Sequence, residues 1–186
     1  MVKINILFLN SLFYIIGSIF FIIGSIFFYP IFSNNIYTFG VSFFISGSIL
    51  YTLAVFQNMF FQCNQQLSIY KIIISNLLEI AASVLFIIGS IYYLPILDRN
   101  KIGNWCYRLG SFIYLINSIL NIYKKYKISS YLFYSIASVL FIIGGFFFLF
   151  SDYIIINKKI GSIFWCIGSI NNLIGSCIWL CKIFYN

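Results

Sequence analysis

Long stretches almost free of charge decide what this chain can become. They run from Ile4 to Met59, Ile72 to Leu97, Ile102 to Tyr123, Ile128 to Ser151 and Ile160 to Cys181. Each exceeds the roughly 20 residues that a transmembrane helix requires. A soluble domain of 186 residues needs a polar shell, and a chain that is 62% hydrophobic and 8% charged cannot supply one. The Ile, Phe and Tyr content would favour strands in water, but the runs lack the period-2 alternation of barrel strands. Helices satisfy their own backbone in lipid, so an all-α integral membrane protein is expected. The apolar stretch after Lys3 reaches Tyr29, too long for a signal-peptide core, and reads as the first span.

Turn signals divide the runs into six predicted helices, about Ile6–Tyr29, Ile36–Phe61, Ile72–Leu97, Ile102–Tyr123, Ile128–Ser151 and Ile160–Phe184. Pro30, Ser33, Asn34 and Asn35 mark one tight link; Pro95, Asp98, Arg99 and Asn100 mark another. The helices group into three hairpins, residues 1–61, 62–127 and 128–186, within one membrane domain. The grouping rests on internal similarity. FIIGS at Phe21–Ser25 precedes Gly40 and Gly47-Ser48; FIIGS at Phe86–Ser90 precedes Gly103 and Gly110-Ser111; FIIGG at Phe141–Gly145 precedes Gly161-Ser162 and Gly168-Ser169. Ala81–Leu85 and Ile136–Leu140 share the string Ala-Ser-Val-Leu, which ties the second unit to the third.

A small residue recurs every seven positions along each helix. Gly17 and Gly24 lie on the first, Gly40, Gly47 and Ala54 on the second, and Ser75, Ala82 and Gly89 on the third. Gly103, Gly110 and Asn117 lie on the fourth, Ser130, Ala137, Gly144 and Ser151 on the fifth, and Gly161, Gly168 and Gly175 on the sixth. Such a stripe keeps to one face only if the helices coil left-handed, because a straight helix drifts about 20° per heptad. Left-handed, small-residue packing is therefore expected. The serines that follow the glycines either bond back to a carbonyl one turn earlier or reach a neighbouring helix.

A FIIG[SG] element, a short turn and a returning helix with G-x6-GS resemble the YrhK-like domain, a small two-helix membrane module. Three copies would span about Leu12 to Phe184. The third departs from the pattern, with Gly145 in place of Ser25 and Ser90 and Phe150 in place of Pro30 and Pro95. The resemblance implies a fold and a membrane location. The mitochondrial-carrier signature P-x-[DE]-x-x-[KR] is absent: Asp98 stands one position too late after Pro95, and no acid follows Pro30.

Two ionisable residues fall inside spans. Glu79 is placed about 27 Å from the Leu97 end of its helix and Arg108 about 10 Å inward from Lys101, a depth difference of about 17 Å at 1.5 Å per residue. No direct ion pair is expected. Arg108 is read as snorkelling towards the headgroups and Asp98, and Glu79 as reaching the opposite interface near Lys71. The functional alternative is a proton- or cation-sensitive site at Glu79 facing the bundle interior. Tyr14 and Tyr134 hold the matching positions of the other two units.

Catalytic chemistry has little to build on. There is no His, and Glu79, Asp98 and Asp152 are the only acids. Neither a metal site nor a Ser-His-Asp arrangement can be assembled from them, and no cofactor is implied. Cys63, Cys106, Cys166, Cys177 and Cys181 form no CxxC pair and read as small apolar fillers. Asn117, Asn121, Asn171 and Asn172 are expected to bond between helices. The net charge of +8 is divided between the two membrane faces, which argues for anionic headgroups and against nucleic acid. Lys3, Lys71, Lys124, Lys125, Lys127 and Lys182 share the side of the termini, so both termini are expected on the cytoplasmic side. The expected function is that of a multi-pass, non-enzymatic membrane protein acting through contacts with lipids, membrane-protein partners or further copies of itself. The alternative is a channel or carrier for a small solute or lipid.

Overall fold

Inside a bilayer no water is available to the backbone, and the chain answers with helices throughout. The computed structural model describes residues 2–29, 34–63, 69–97, 100–122, 128–149 and 155–185. Six helices make up nearly all of them: α1 Val2–Phe27, α2 Asn34–Cys63, α3 Ile69–Tyr92, α4 Asn100–Ile122, α5 Ile128–Leu149 and α6 Ile155–Tyr185. No strand occurs among the described residues. The turns at Pro30 and Phe150, the acids Asp98 and Asp152, and Lys124, Lys125 and Lys127 lie outside them.

Two ends differ from the sequence expectation by five residues, the others by four or fewer. The third helix was expected to reach Leu97 but stops at Tyr92, because a residue preceding proline is pushed out of the α region and Pro95 offers no N–H. Tyr93 N–H still bonds Gly89 O, and Leu97 N–H closes a further turn on Leu94 O. The sixth helix starts at Ile155, a turn ahead of Ile160.

Each helix packs against its neighbours in sequence, and α1 also packs against α6, so the six close into a ring. The small residues let the backbones approach. A Cβ on Gly103 would lie 2.8 Å from Gly89 O, one on Gly24 would lie 3.1 Å from Gly40 O, and one on Gly161 would lie 3.1 Å from Gly144 O. The contacts step by seven along each pair. Gly17 meets Gly47 as Gly24 meets Gly40; Ala82 meets Gly110 as Gly89 meets Gly103; Ser130, Ala137 and Gly144 meet Gly175, Gly168 and Gly161 in turn.

Side chains are distributed as lipid solvation requires. Polar residues turn inward: Asn10, Ser18, Ser48, Asn104, Asn117 and Ser169 are all buried. Large apolar residues turn outward, among them Leu9, Ile26, Phe39, Leu77, Leu109 and Phe146. Five helices are long and apolar enough to cross a membrane, over Ile6–Phe27, Ile36–Phe60, Ile74–Tyr92, Ser129–Phe148 and Ile156–Phe184. α4 is the exception, and its Asn104, Arg108, Asn117 and Asn121 are all buried. This is an integral membrane protein.

Candidate functional site

The ring of helices encloses aromatic side chains stacked along its axis. The Phe that opens each FIIG string points there: Phe21, Phe86 and Phe141 form a triangle with centroid separations of 6.4, 6.4 and 6.5 Å. A second layer comes from α2, α4 and α6, where Phe44, Tyr107 and Trp165 sit four residues after Gly40, Gly103 and Gly161. Their centroids are 5.6, 5.5 and 4.8 Å apart. Phe28, Tyr93 and Phe148 form a third layer, 5.3, 6.1 and 6.4 Å apart. Edge-to-face contacts dominate, the geometry aromatic quadrupoles favour. The void left between the layers is about 10 Å³, at the lower limit for a single water molecule.

Polar groups on this core are largely tied down. Ser18, Ser25, Ser48, Ser90, Ser169 and Ser176 each bond back to the carbonyl four residues earlier. Three of them also reach across: Ser18 to Tyr51 at 2.7 Å, Ser90 to Tyr107 at 2.5 Å and Ser176 to Tyr134 at 3.2 Å. Trp165 donates its indole N–H to Phe141 O at 3.2 Å. Of the asparagines, Asn117 and Asn121 do bond between helices, joining α4 to Ser75 of α3. Asn171 instead bonds back to Ile167 O on the outer side, and Asn172 turns towards the axial void.

Glu79 takes the place of the third tyrosine beyond these layers. Tyr14 donates its hydroxyl to Glu79 Oε1 at 3.3 Å, and the rings of Tyr14 and Tyr134 lie 6.4 Å apart. All three line a cavity of about 20 Å³ together with Asn10, Asn58 and Ser130. It has room for one water. Asn10 Oδ1 and Ser130 Oγ have no protein partner, so such a water would have groups to bond. The side chain of Lys71, the partner expected for Glu79, lies outside the described residues.

Arg108 occupies different surroundings. Only 6% exposed, it lies between α4 and α5, with its guanidinium carbon 3.6 Å from the Trp105 ring centroid and 4.9 Å from that of Phe146. Its Nε and Nη2 have no hydrogen-bond partner. Asp98 lies outside the described residues. The side chain fits because α5 has a glycine opposite: a Cβ on Gly145 would lie 2.6 Å from Arg108 Cγ. The expected depth difference between Glu79 and Arg108 needs correction. Since α3 stops at Tyr92 and Gly89 faces Gly103, Arg108 lies level with Val84. The offset from Glu79 is then about 7.5 Å rather than about 17 Å. The two still point apart, Glu79 to the axis and Arg108 to the outer groove.

Among the described residues no group of His, Cys, Asp or Glu could hold a metal ion. Cys106, Cys166, Cys177 and Cys181 are free thiols, none of them in the core. The sequence reading did not foresee the aromatic layers, although their signal was present: an aromatic three positions before or four after the heptad glycines of each unit.

The sequence model of the family described as YrhK-like protein matches residues 6–58 and again 69–125. No curated protein and no solved structure matches the chain.

Proposed function

The chain belongs to the YrhK-like family, and from that premise we propose that it is a non-conducting, non-enzymatic membrane protein that acts through its outer, lipid-facing surface. The observation that carries this reading is the filled axis. Three aromatic layers occupy the place where a path would run, and the space between them is about 10 Å³. A channel or carrier needs a continuous polar route, whereas here the polar cluster at the Glu79 end and the scattered groups along the bundle, among them Asn172 and serines bonded back to their own helices, are interrupted by the aromatic layers.

The same reading takes the bundle as three repeated hairpins with left-handed crossings. The two family matches cover α1–α2 and α3–α4, and the seven-step small-residue contacts continue unchanged into α5–α6. In this arrangement α4 is the sixth span. Its polar residues are covered by α3 and α5, and Trp105, Leu109, Phe112 and Leu120 supply an apolar outer face. Both termini then share one side, taken as cytoplasmic from the lysine bias.

Lipids, other membrane proteins or further copies of the chain are the proposed contacts. Native-membrane extraction followed by quantitative identification of retained lipids and proteins tests this. Specific retention is expected. A strictly monomeric protein that retains neither would remove the support for it.

A further inference from the structure

We propose that the groove between α4 and α5 is a binding site for an anionic phospholipid, with Arg108 taking the phosphodiester. The proposal rests on the lipid-contact reading above and names the lipid chemistry and the residue. The groove has a volume of about 370 Å³ and opens on the outer face of the bundle. Its walls are Leu85, Leu109, Phe112 and Ile142, with Trp105 and Phe146 flanking the guanidinium.

Three observations converge on an anion held by a chain-bearing molecule. Arg108 is permanently charged, yet Nε and Nη2 lack any hydrogen-bond partner, and among the described residues its neighbours supply two aromatic faces and no carboxylate. An arginine in a span is costly unless an anion or a polar surface meets it. Its position allows that meeting. Arg108 lies about 12 Å along α4 from Asn100, and helical side chains lean towards the N-terminus, so the guanidinium is carried over Trp105 towards the nearer interface. Trp105 is 62% exposed on the outer face, and in the proposed complex its ring turns aside so that a phosphate oxygen reaches the edge of the guanidinium. Planar, two-donor recognition of phosphate is the chemistry arginine performs best.

The apolar walls select the lipid over a free anion. Inorganic phosphate would gain nothing from Leu109 and Phe112, whereas an acyl chain laid along them exchanges one apolar contact for another while its headgroup supplies the missing charge. The corresponding places in the other two units hold Ile45 and Cys166, so the site is particular to the α4–α5 groove.

Trp105 is a built-in reporter. In a Trp179→Phe background the remaining Trp165 is fully buried on the axis, so contact quenching by bromine-labelled acyl chains reads Trp105. In phosphatidylcholine vesicles, brominated phosphatidylglycerol should quench Trp105 with about fivefold preference over brominated phosphatidylcholine. Arg108→Gln should abolish the preference, and Arg108→Lys should keep part of it. Equal quenching by the two lipids, or a preference that survives Arg108→Gln, overturns the proposal. So does a preference erased by excess inorganic phosphate at constant ionic strength, which would mark a free-anion site. A Trp105 quenched by neither lipid would mean that the groove is closed to lipid, which also overturns it. Should Arg108→Gln fail to fold, the headgroup and phosphate comparisons on the unsubstituted groove still decide. None of these outcomes bears on whether the axis conducts, which a flux measurement settles separately.

Discussion

Gly145 on α5 and Arg108 on α4 fit as a pair: the Cβ that Gly145 lacks would lie 2.6 Å from Arg108 Cγ and 3.3 Å from Asn104 Oδ1. The clash is with the root of the arginine side chain, which cannot swing away as its tip can. Gly145→Ser should therefore destabilise the protein by about 1–3 kcal/mol, the usual cost of overpacking. Arg108→Ala, which removes the Cγ that the new side chain would strike, should remove most of that penalty. The check is a double-mutant cycle on unfolding in detergent micelles, with a coupling of about 0.5–3 kcal/mol expected. Additive effects would show that Arg108 does not set the need for Gly145.

The heptad glycines should not be equivalent. A Cβ on Gly103 would meet the backbone oxygen of Gly89 at 2.8 Å, which only a shift of the whole helix can relieve. A Cβ on Gly168 would meet Ala137 O at 3.2 Å and Leu140 Cβ at 3.4 Å. Gly103→Ala should cost about 1–3 kcal/mol. For Gly168→Ala, the helix propensity gained, up to about 1 kcal/mol, should leave the net change near zero. Unfolding midpoints of the two variants measured side by side check the order.

Trp165 touches all three aromatic layers and donates to Phe141 O. Trp165→Ala should cost about 3–5 kcal/mol through the cavity it leaves. Trp165→Phe keeps most of the volume and loses only the indole's extra bond to a carbonyl that stays in the α5 ladder, and should cost about 0.5–1.5 kcal/mol. A near-neutral Trp165→Ala would mean that the core is far looser than its ring distances indicate.

Ser75 links Asn117 and Asn121 of α4 to α3 through bonds of 2.8 and 2.9 Å. Ser75→Ala removes that link, but Asn121 retains its bonds to Asn117 within α4. The expected loss is about 1 kcal/mol, read by the same unfolding assay.

The architecture was legible because each glycine stripe has a single physical purpose, and the contacts Gly17 to Gly47, Gly89 to Gly103 and Gly144 to Gly161 follow its seven-residue step. The end of α3 was misplaced because apolarity continues through Leu94, Ile96 and Leu97, whereas helix geometry ends ahead of Pro95. That error also doubled the depth separating Glu79 from Arg108. The axial triangle lay hidden in plain view, since Phe21, Phe86 and Phe141 were read as part of a motif before any property showed which way they point. The Arg108 groove was not legible. Gly145 looked like a lapse in the third unit, and only the packing of α4 on α5 shows that a side chain from the second unit fills the space.

The central claim is that the axis of this bundle is closed, and flux across vesicles tests it most directly. Purified protein reconstituted in one orientation-mixed population, challenged with gradients of protons, monovalent cations, anions and small neutral solutes, should leak no faster than protein-free vesicles, and Glu79→Gln should change nothing. A saturable flux of any of these species that Glu79→Gln alters would contradict the account, because it would require a polar path through the layers of Phe21, Phe86 and Phe141.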